Sequence, residues 1–248
     1  MTDLVLRHDH QGVATLMLNR PDKLNALSRD MFEALDAHLT DIARHPRKVG
    51  LVVLRGAGGN FSSGYDMDEV AAAVRARAKP HYQSDVIEKL AGLPQPVISA
   101  VQGVCSTGAL ELALAADLIV ASDTAQFSDV YARWGLTPVW GLSLRLPRRI
   151  GSAKARELLF TCRNVSGMEA ADIHLANFCY PDDRFDAELD LLARQILANS
   201  WFANQVNKQV LIRTDALPLA EAHALDIFKN EGVAPDAESR IAAFFQRR

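Results

Sequence analysis

Apolar positions along the chain follow three regimes, and each predicts a different kind of element. Between residues 13 and 19 they alternate, with Val13, Thr15, Met17 and Asn19 on one face and Ala14, Leu16 and Leu18 on the other. That period predicts a strand, and residues 4–7 predict a short one before it. Pro21 ends the run, because proline cannot donate into a central ladder. Met31, Phe32, Leu35, Leu39 and Ile42 then recur at helical spacing behind Ser28, a residue type that caps helix N-termini. Residues 50–54 are continuously apolar, which suits a strand covered on both faces. A helix is expected over 81–91, stopped by Gly92 and Pro94. Residues 97–121 are long and mostly apolar but contain Gln102, Gly103, Glu111 and Asp117. Two carboxylates in lipid would be costly, so this stretch predicts a buried strand, a turn, a buried helix and a second strand.

From residue 152 onward the period is mostly helical, over 153–160, 168–173, 186–199, 205–214, 219–229 and 237–246. Strands early and helices late predict an α/β core over residues 1–198 and a helical C-terminal region over 199–248. No Pro/Gly/Ser linker marks the join between 195 and 205.

Composition narrows the function classes. The chain has 248 residues, 49% hydrophobic and 23% charged, an ordinary globular balance. A net charge of −3 offers no polycation for a nucleic-acid backbone. Cys105, Cys162 and Cys179 form no CxxC pair, which excludes a disulfide framework or a zinc knuckle from the expectations and favours a reducing compartment. The N-terminus shows no apolar signal segment, so a cytoplasmic protein without a membrane partner is expected. His8 and His10 are expected at a solvated strand edge, and His38 and His45 on the polar side or end of the first helix. None stands at metal-ligand spacing, so no metal is expected.

Two segments carry candidate chemistry. Residues 56–68, Gly-Ala-Gly-Gly-Asn-Phe-Ser-Ser-Gly-Tyr-Asp-Met-Asp, follow a buried strand. Their glycines allow sharp turns and close approach to a ligand. They match neither a dinucleotide fingerprint nor a Walker loop, and a plain flexible loop is the alternative. Residues 103–117 run from Ser106, Thr107, Gly108 and Ala109 into an apolar helix that holds Glu111 between Leu110 and Leu112. A helix start presents unpaired N–H groups, and Gly108 leaves its own sterically open. Glu111 is either a surface complement to the helix dipole or a desolvated carboxylate tuned upward as a general base. Ser62, Ser63 and Ser106 do not stand in GxSxG, which argues against a serine hydrolase.

Several segments, in order, resemble the enoyl-CoA hydratase/isomerase (crotonase) family. Asn-Arg-Pro-Asp-Lys-Leu-Asn-Ala-Leu27 is similar to its N-terminal coenzyme A contact motif. Phe61-Ser-Ser-Gly-Tyr-Asp-Met67 resembles its Phe-x-Ala-Gly-x-Asp-Leu loop. Residues 96–103, 125–127, 134–138, 144–151 and 166–177 continue the likeness, which spans roughly residues 3–246. The resemblance implies a crotonase-like spiral core of stacked ββα units. It also implies an acyl-CoA thioester substrate, no cofactor beyond the coenzyme A within that substrate, and a homotrimer or hexamer packed through the C-terminal helices.

By the same resemblance, the Tyr65 and Gly108 amides form an oxyanion hole, and each such donor contributes ~2.7–4 kcal/mol to the transition state. Ser63, Tyr65, Asp66, Met67, Asp68 and Gly108 line the substrate, and Lys23, Leu24 and Ala26 touch its coenzyme A end. Asp68 stands where many members carry a basic residue. Of the two glutamates used by the family's hydratases, the first matches Glu111. The second falls on Tyr131, which at neutral pH donates a hydrogen bond but cannot act as a base. Asp129 could replace that carboxylate if the stretch is extended and the two share a face, but a surface-loop aspartate is the default expectation. Trp134 and Trp140 wall the acyl pocket or pack in the core. The expected reaction is hydration of a 2-enoyl-CoA, or its reverse. The alternatives are a double-bond isomerase working with Glu111 alone and an acyl-CoA binder with weak turnover.

Overall fold

The structure is a computed structural model and describes residues 3–76, 81–230 and 232–246. Strand β1 (Val5–His10) and strand β2 (Val13–Leu18) form an antiparallel pair, with Val5 opposite Leu18. A single 3-10 turn at Pro21–Lys23 leads into helix α1 (Arg29–Arg44). The Ser28 hydroxyl accepts from the Met31 amide at 3.2 Å and caps α1. Strand β3 (Leu51–Gly56), helix α2 (Met67–Ala76) and helix α3 (His81–Ala91) follow. Next come β4 (Val97–Val101), β5 (Val104–Ser106), α4 (Gly108–Ala113), β6 (Leu118–Ser122) and β7 (Gln126–Ser128).

A 3-10 turn at Tyr131–Trp134 precedes α5 (Leu142–Ile150) and α6 (Ser152–Thr161). Strand β8 (Val165–Ser166), α7 (Gly167–Asp172), β9 (Phe178–Tyr180) and α8 (Phe185–Leu197) complete the core. The C-terminal helices are α9 (Trp201–Thr214), α10 (Leu219–Lys229) and α11 (Ala237–Gln246).

The larger sheet has the order β1-β2-β3-β4-β6-β9 and is parallel from β2 onward; the smaller has the order β5-β7-β8. Successive strands step from one sheet to the other, β4 to β5 and β6 to β7. The loop after β3 makes the same step, because Ser62 bridges to Cys105. This repeat winds the chain into a coil of ββα units. The larger sheet is covered on both faces, as its apolar runs require. Val52 and Leu54 face one cluster with α1, whereas Leu51, Val53, Ile98 and Val120 face Phe185 and Leu189 of α8.

The predicted strands at 4–7, 13–19, 50–54, 97–101 and 118–121 and the predicted helices all form within a few residues of their expected bounds. The structure adds elements that periodicity did not predict. Strands β5, β7, β8 and β9 are two or three residues long, too short to express a period, and β5 occupies part of the expected turn after β4. Helix α5 keeps Leu142, Leu146 and Ile150 at helical spacing, but Pro147 within it reads as a helix breaker.

Helix α9 is tied to the core by buried polar contacts. The Lys208 ammonium donates to the Gln95 carbonyl at 3.0 Å and to Asp117 Oδ2 at 2.7 Å. No helix among the described residues is long and apolar enough to cross a membrane.

Candidate active site

Two backbone amides come close together where the loop after β3 meets the start of α4. In the loop, Gly64 adopts φ +103°, and a Cβ there would lie 2.1 Å from Thr107 Oγ1 and 2.7 Å from the Ser106 carbonyl oxygen. Only glycine fits that approach. Leu27 holds the loop from outside, donating to the Gly64 carbonyl and accepting from the Asp66 amide, both at 2.8 Å.

Across from it, Thr107 has φ +51° and ψ −115°. A β-branched residue at positive φ is strained by ~1–3 kcal/mol and persists only when its surroundings hold it. Here its amide donates to the Ser128 carbonyl at 2.9 Å and its hydroxyl to the Ser106 carbonyl at 2.8 Å. The twist brings the Gly108 amide beside that of Tyr65. The Tyr65 nitrogen lies 3.3 Å from where a Gly108 Cβ would stand, and the Gly108 nitrogen 3.5 Å from that of Gly64. Among the described residues no acceptor takes a hydrogen bond from either amide.

Glu111 lies three residues beyond, in α4, and is fully buried. Its Oε1 accepts from the Trp140 amide at 2.8 Å and the Leu142 amide at 3.2 Å, and its Oε2 from the Tyr131 hydroxyl at 2.9 Å. A surface helix-dipole complement would have no such shell. Burial pushes the Glu111 carboxyl above its ordinary range; the two amides and the phenol pull it back in part, and the charge of Asp129 pushes it up again. Burial and then the Glu111 charge hold the Tyr131 phenol far above its usual value, so it stays a donor.

The stretch after β7 departs from the sequence expectations. Asp129 is not a surface-loop residue; it is 4% exposed. The chain also does not stay extended: Val130 turns at φ −115°, ψ 13° into the 3-10 turn that carries Tyr131. The cause is local, because Asp129 Oδ1 accepts from the Tyr131 amide at 3.1 Å and so caps the turn that buries it. Trp134 is 52% exposed and lies on the surface, outside the core. Trp140 is buried edge-on against Tyr65 and Phe32, with ring centroids 4.9 and 5.2 Å apart, and a Cβ on Gly108 would lie 2.5 Å from its ring.

Comparison with known proteins now decides the family. The sequence pattern of the family described as Enoyl-CoA hydratase/isomerase matches residues 8–246. "Probable enoyl-CoA hydratase echA8" of Mycobacterium leprae is 32% identical over 99% of this chain and 96% of its own length. "Probable enoyl-CoA hydratase 1, peroxisomal" of Arabidopsis thaliana is 31% identical over 92% of this chain and 85% of its own. This chain belongs to the enoyl-CoA hydratase/isomerase family. The crystal structure of enoyl-CoA hydratase from Bacillus anthracis superposes with a TM-score of 0.92 at 29% identity, covering 99% of this chain and 97% of the other. The fold is therefore the crotonase fold, and the chain is an enzyme of an acyl-CoA-binding family.

Within this enoyl-CoA hydratase/isomerase chain, the remaining candidate residues lie on two abutting loops. Lys23 and Leu24 are exposed and Ala26 is half-buried. Ser63 is half-buried and donates its amide to the Leu24 carbonyl at 2.9 Å, while Met67 and Asp68 are exposed at the start of α2. Asp66 is occupied by the protein itself: Oδ2 pairs with Arg20 at 2.6 Å and Oδ1 accepts from the Asp68 amide. Burial pushes the Asp66 carboxyl up, but the guanidinium and the amide outweigh it and leave it below the usual range.

Asn25 is the residue that sequence reasoning passed over. It is buried with φ +54°, accepts from the Arg20 amide, and donates to the Ala57 and Asn60 carbonyls. It thereby fastens the first loop to the second. Its signal was an asparagine, a residue type that tolerates left-handed backbone, two residues after the 3-10 turn ends. The amides of Trp140 and Leu142 left no such signal, since any residue has an amide.

Proposed function

We propose that the protein adds water to the double bond of a 2-enoyl-CoA thioester, or removes it in reverse. One observation carries the reading: two amides without acceptors stand side by side, three residues in sequence from a sealed, upward-shifted carboxylate. An enolate intermediate requires donors for its oxygen and a base close by. The Tyr65 and Gly108 amides would hold the thioester carbonyl. Glu111, oriented by Trp140, Leu142 and Tyr131, would take a proton from water as its oxygen bonds the β-carbon. Charge then gathers on the carbonyl oxygen between the two amides, and protonation at the α-carbon completes the addition. Lys23, Leu24, Ala26 and Ser63 border the place assigned to coenzyme A, and Met67 and Asp68 its approach. Coenzyme A enters as part of the substrate, and the chemistry needs no further cofactor.

The names of the relatives support hydration over its alternatives. A single carboxylate also suits a double-bond isomerase, which moves one proton between two carbons. Crotonyl-CoA hydration and 3-enoyl to 2-enoyl conversion, measured side by side, separate the two. Glu111→Gln should lower hydration ~10²–10⁴-fold with little change in KM. Unchanged turnover in that variant would sink the reading, and tight acyl-CoA binding without turnover by the native enzyme would replace it with a binding role. Exposed Leu219, Val233, Ile241 and Phe245 on the C-terminal segment support packing against further copies, as in a homotrimer or hexamer.

A further inference from the structure

Hydration needs two proton movements, one from water and one to the α-carbon, and Glu111 is committed to the first. Tyr131 is poorly placed for the second, because its hydroxyl proton is directed at Glu111 Oε2 and its phenol is a very weak acid. Asp129 is the other buried acid beside it. Strand β7 pairs with β5 so that Ser128 lies opposite Ser106, and the Thr107 amide donates to the Ser128 carbonyl at 2.9 Å, so the peptide unit that leads into Asp129 is bound to the residue just before the Gly108 amide. Asp129 follows the end of β7 and is buried where it caps the 3-10 turn of Tyr131.

Only Oδ1 of Asp129 is engaged, by the Tyr131 amide, and among the described residues no donor meets Oδ2. Of the titratable groups around it, Glu111 and Tyr131 both feel its charge. Burial raises its carboxyl above the ordinary range, which favours the protonated form that a donor needs.

We propose that Asp129 is the second acid–base group of this site, delivering the proton to the α-carbon from a position two residues before Tyr131. The inference rests on the enolate reading above. In the hydration direction an O–H bond of water breaks, its proton goes to the Glu111 carboxylate, and the oxygen bonds the β-carbon. The π electrons move toward the thioester, whose carbonyl oxygen gains charge between the Tyr65 and Gly108 amides. As the carbonyl re-forms, the α-carbon takes the proton from the Asp129 carboxyl. The products are the 3-hydroxyacyl thioester, a protonated Glu111 and an ionised Asp129. One proton passed from Glu111 to Asp129 through water restores the start.

The test is Asp129→Asn in the full chain. Asparagine keeps an oxygen for the Tyr131 amide, so the cap survives while the transferable proton is lost. The expected result is a kcat for crotonyl-CoA hydration lowered ~10²–10⁴-fold, with KM and melting temperature near those of the native protein. Asp129→Ser, whose hydroxyl can cap the same amide, gives the same reading if the asparagine variant does not fold. A folded variant of either kind that turns over at the native rate overturns the proposal. Glu111→Gln separates the two levels. If that variant is inactive while Asp129→Asn is active, only the role of Asp129 falls; if Glu111→Gln is itself active, the enolate reading falls with it.

Discussion

Replacing Tyr131 with phenylalanine removes one oxygen and leaves the ring to fill the same space. The oxygen lost is the donor to Glu111 Oε2 at 2.9 Å; the amides of Trp140 and Leu142, both on Oε1, remain. Glu111 is fully buried, so no bulk water replaces the missing donor. A hydrogen bond to a charged acceptor contributes ~1.5–3 kcal/mol. At about 1.36 kcal/mol per pK unit, its loss raises the Glu111 pKa by ~1–2 units above a value that burial already holds high.

The sign follows from the role proposed. A base works as its carboxylate, so activity is lost as pH falls through its pKa, and a higher pKa moves that loss to higher pH. Measured as kcat/KM for crotonyl-CoA hydration against pH, the acid limb of Tyr131→Phe should lie ~1–2 units above that of the native enzyme. On the alkaline side of both limbs the two proteins should converge. A limb that stays in place, or moves down, would refute the claim that the phenol stabilises a working carboxylate.

Two further substitutions probe the frame around the site. Gly64→Ala would place a methyl 2.1 Å from Thr107 Oγ1 and 2.7 Å from a backbone carbonyl, at a φ that alanine disfavours. The amide pair should separate, with ~1–3 kcal/mol of stability lost by denaturant unfolding and kcat falling ~10²-fold or more. Lys208→Met would cut the tie between α9 and the core, leaving Asp117 Oδ2 with the Val97 amide alone. Loss of a fully buried pair costs ~3–5 kcal/mol, but Asp117 is one-third exposed and can rehydrate, so urea unfolding should show a loss of ~2–3 kcal/mol. Hydration activity should persist in the folded fraction.

The sequence by itself determined the elements whose burial repeats at a fixed period. Leu51 to Leu54 suit a strand covered on both sides, and the spacing from Met31 to Ile42 suits one face of a helix, because those conformations take the apolar positions out of water. The glycines at 64 and 108 and the lone carboxylate in an apolar helix were legible for the same reason: each is costly where it stands unless something requires it.

Tertiary structure alone decided what those residues meet. It put Asp129 inside, because a carboxylate that caps a turn is carried wherever the turn packs, and composition cannot report that. It chose Trp140 over Trp134 as the buried ring, and it chose backbone amides, which every residue carries, to hold Glu111. It fastened the two loops through Asn25, whose three side-chain hydrogen bonds reach partners at residues 20, 57 and 60. Local pattern fixes which surface a segment must hide. The partner that hides it lies far along the chain, and only folding brings the two together.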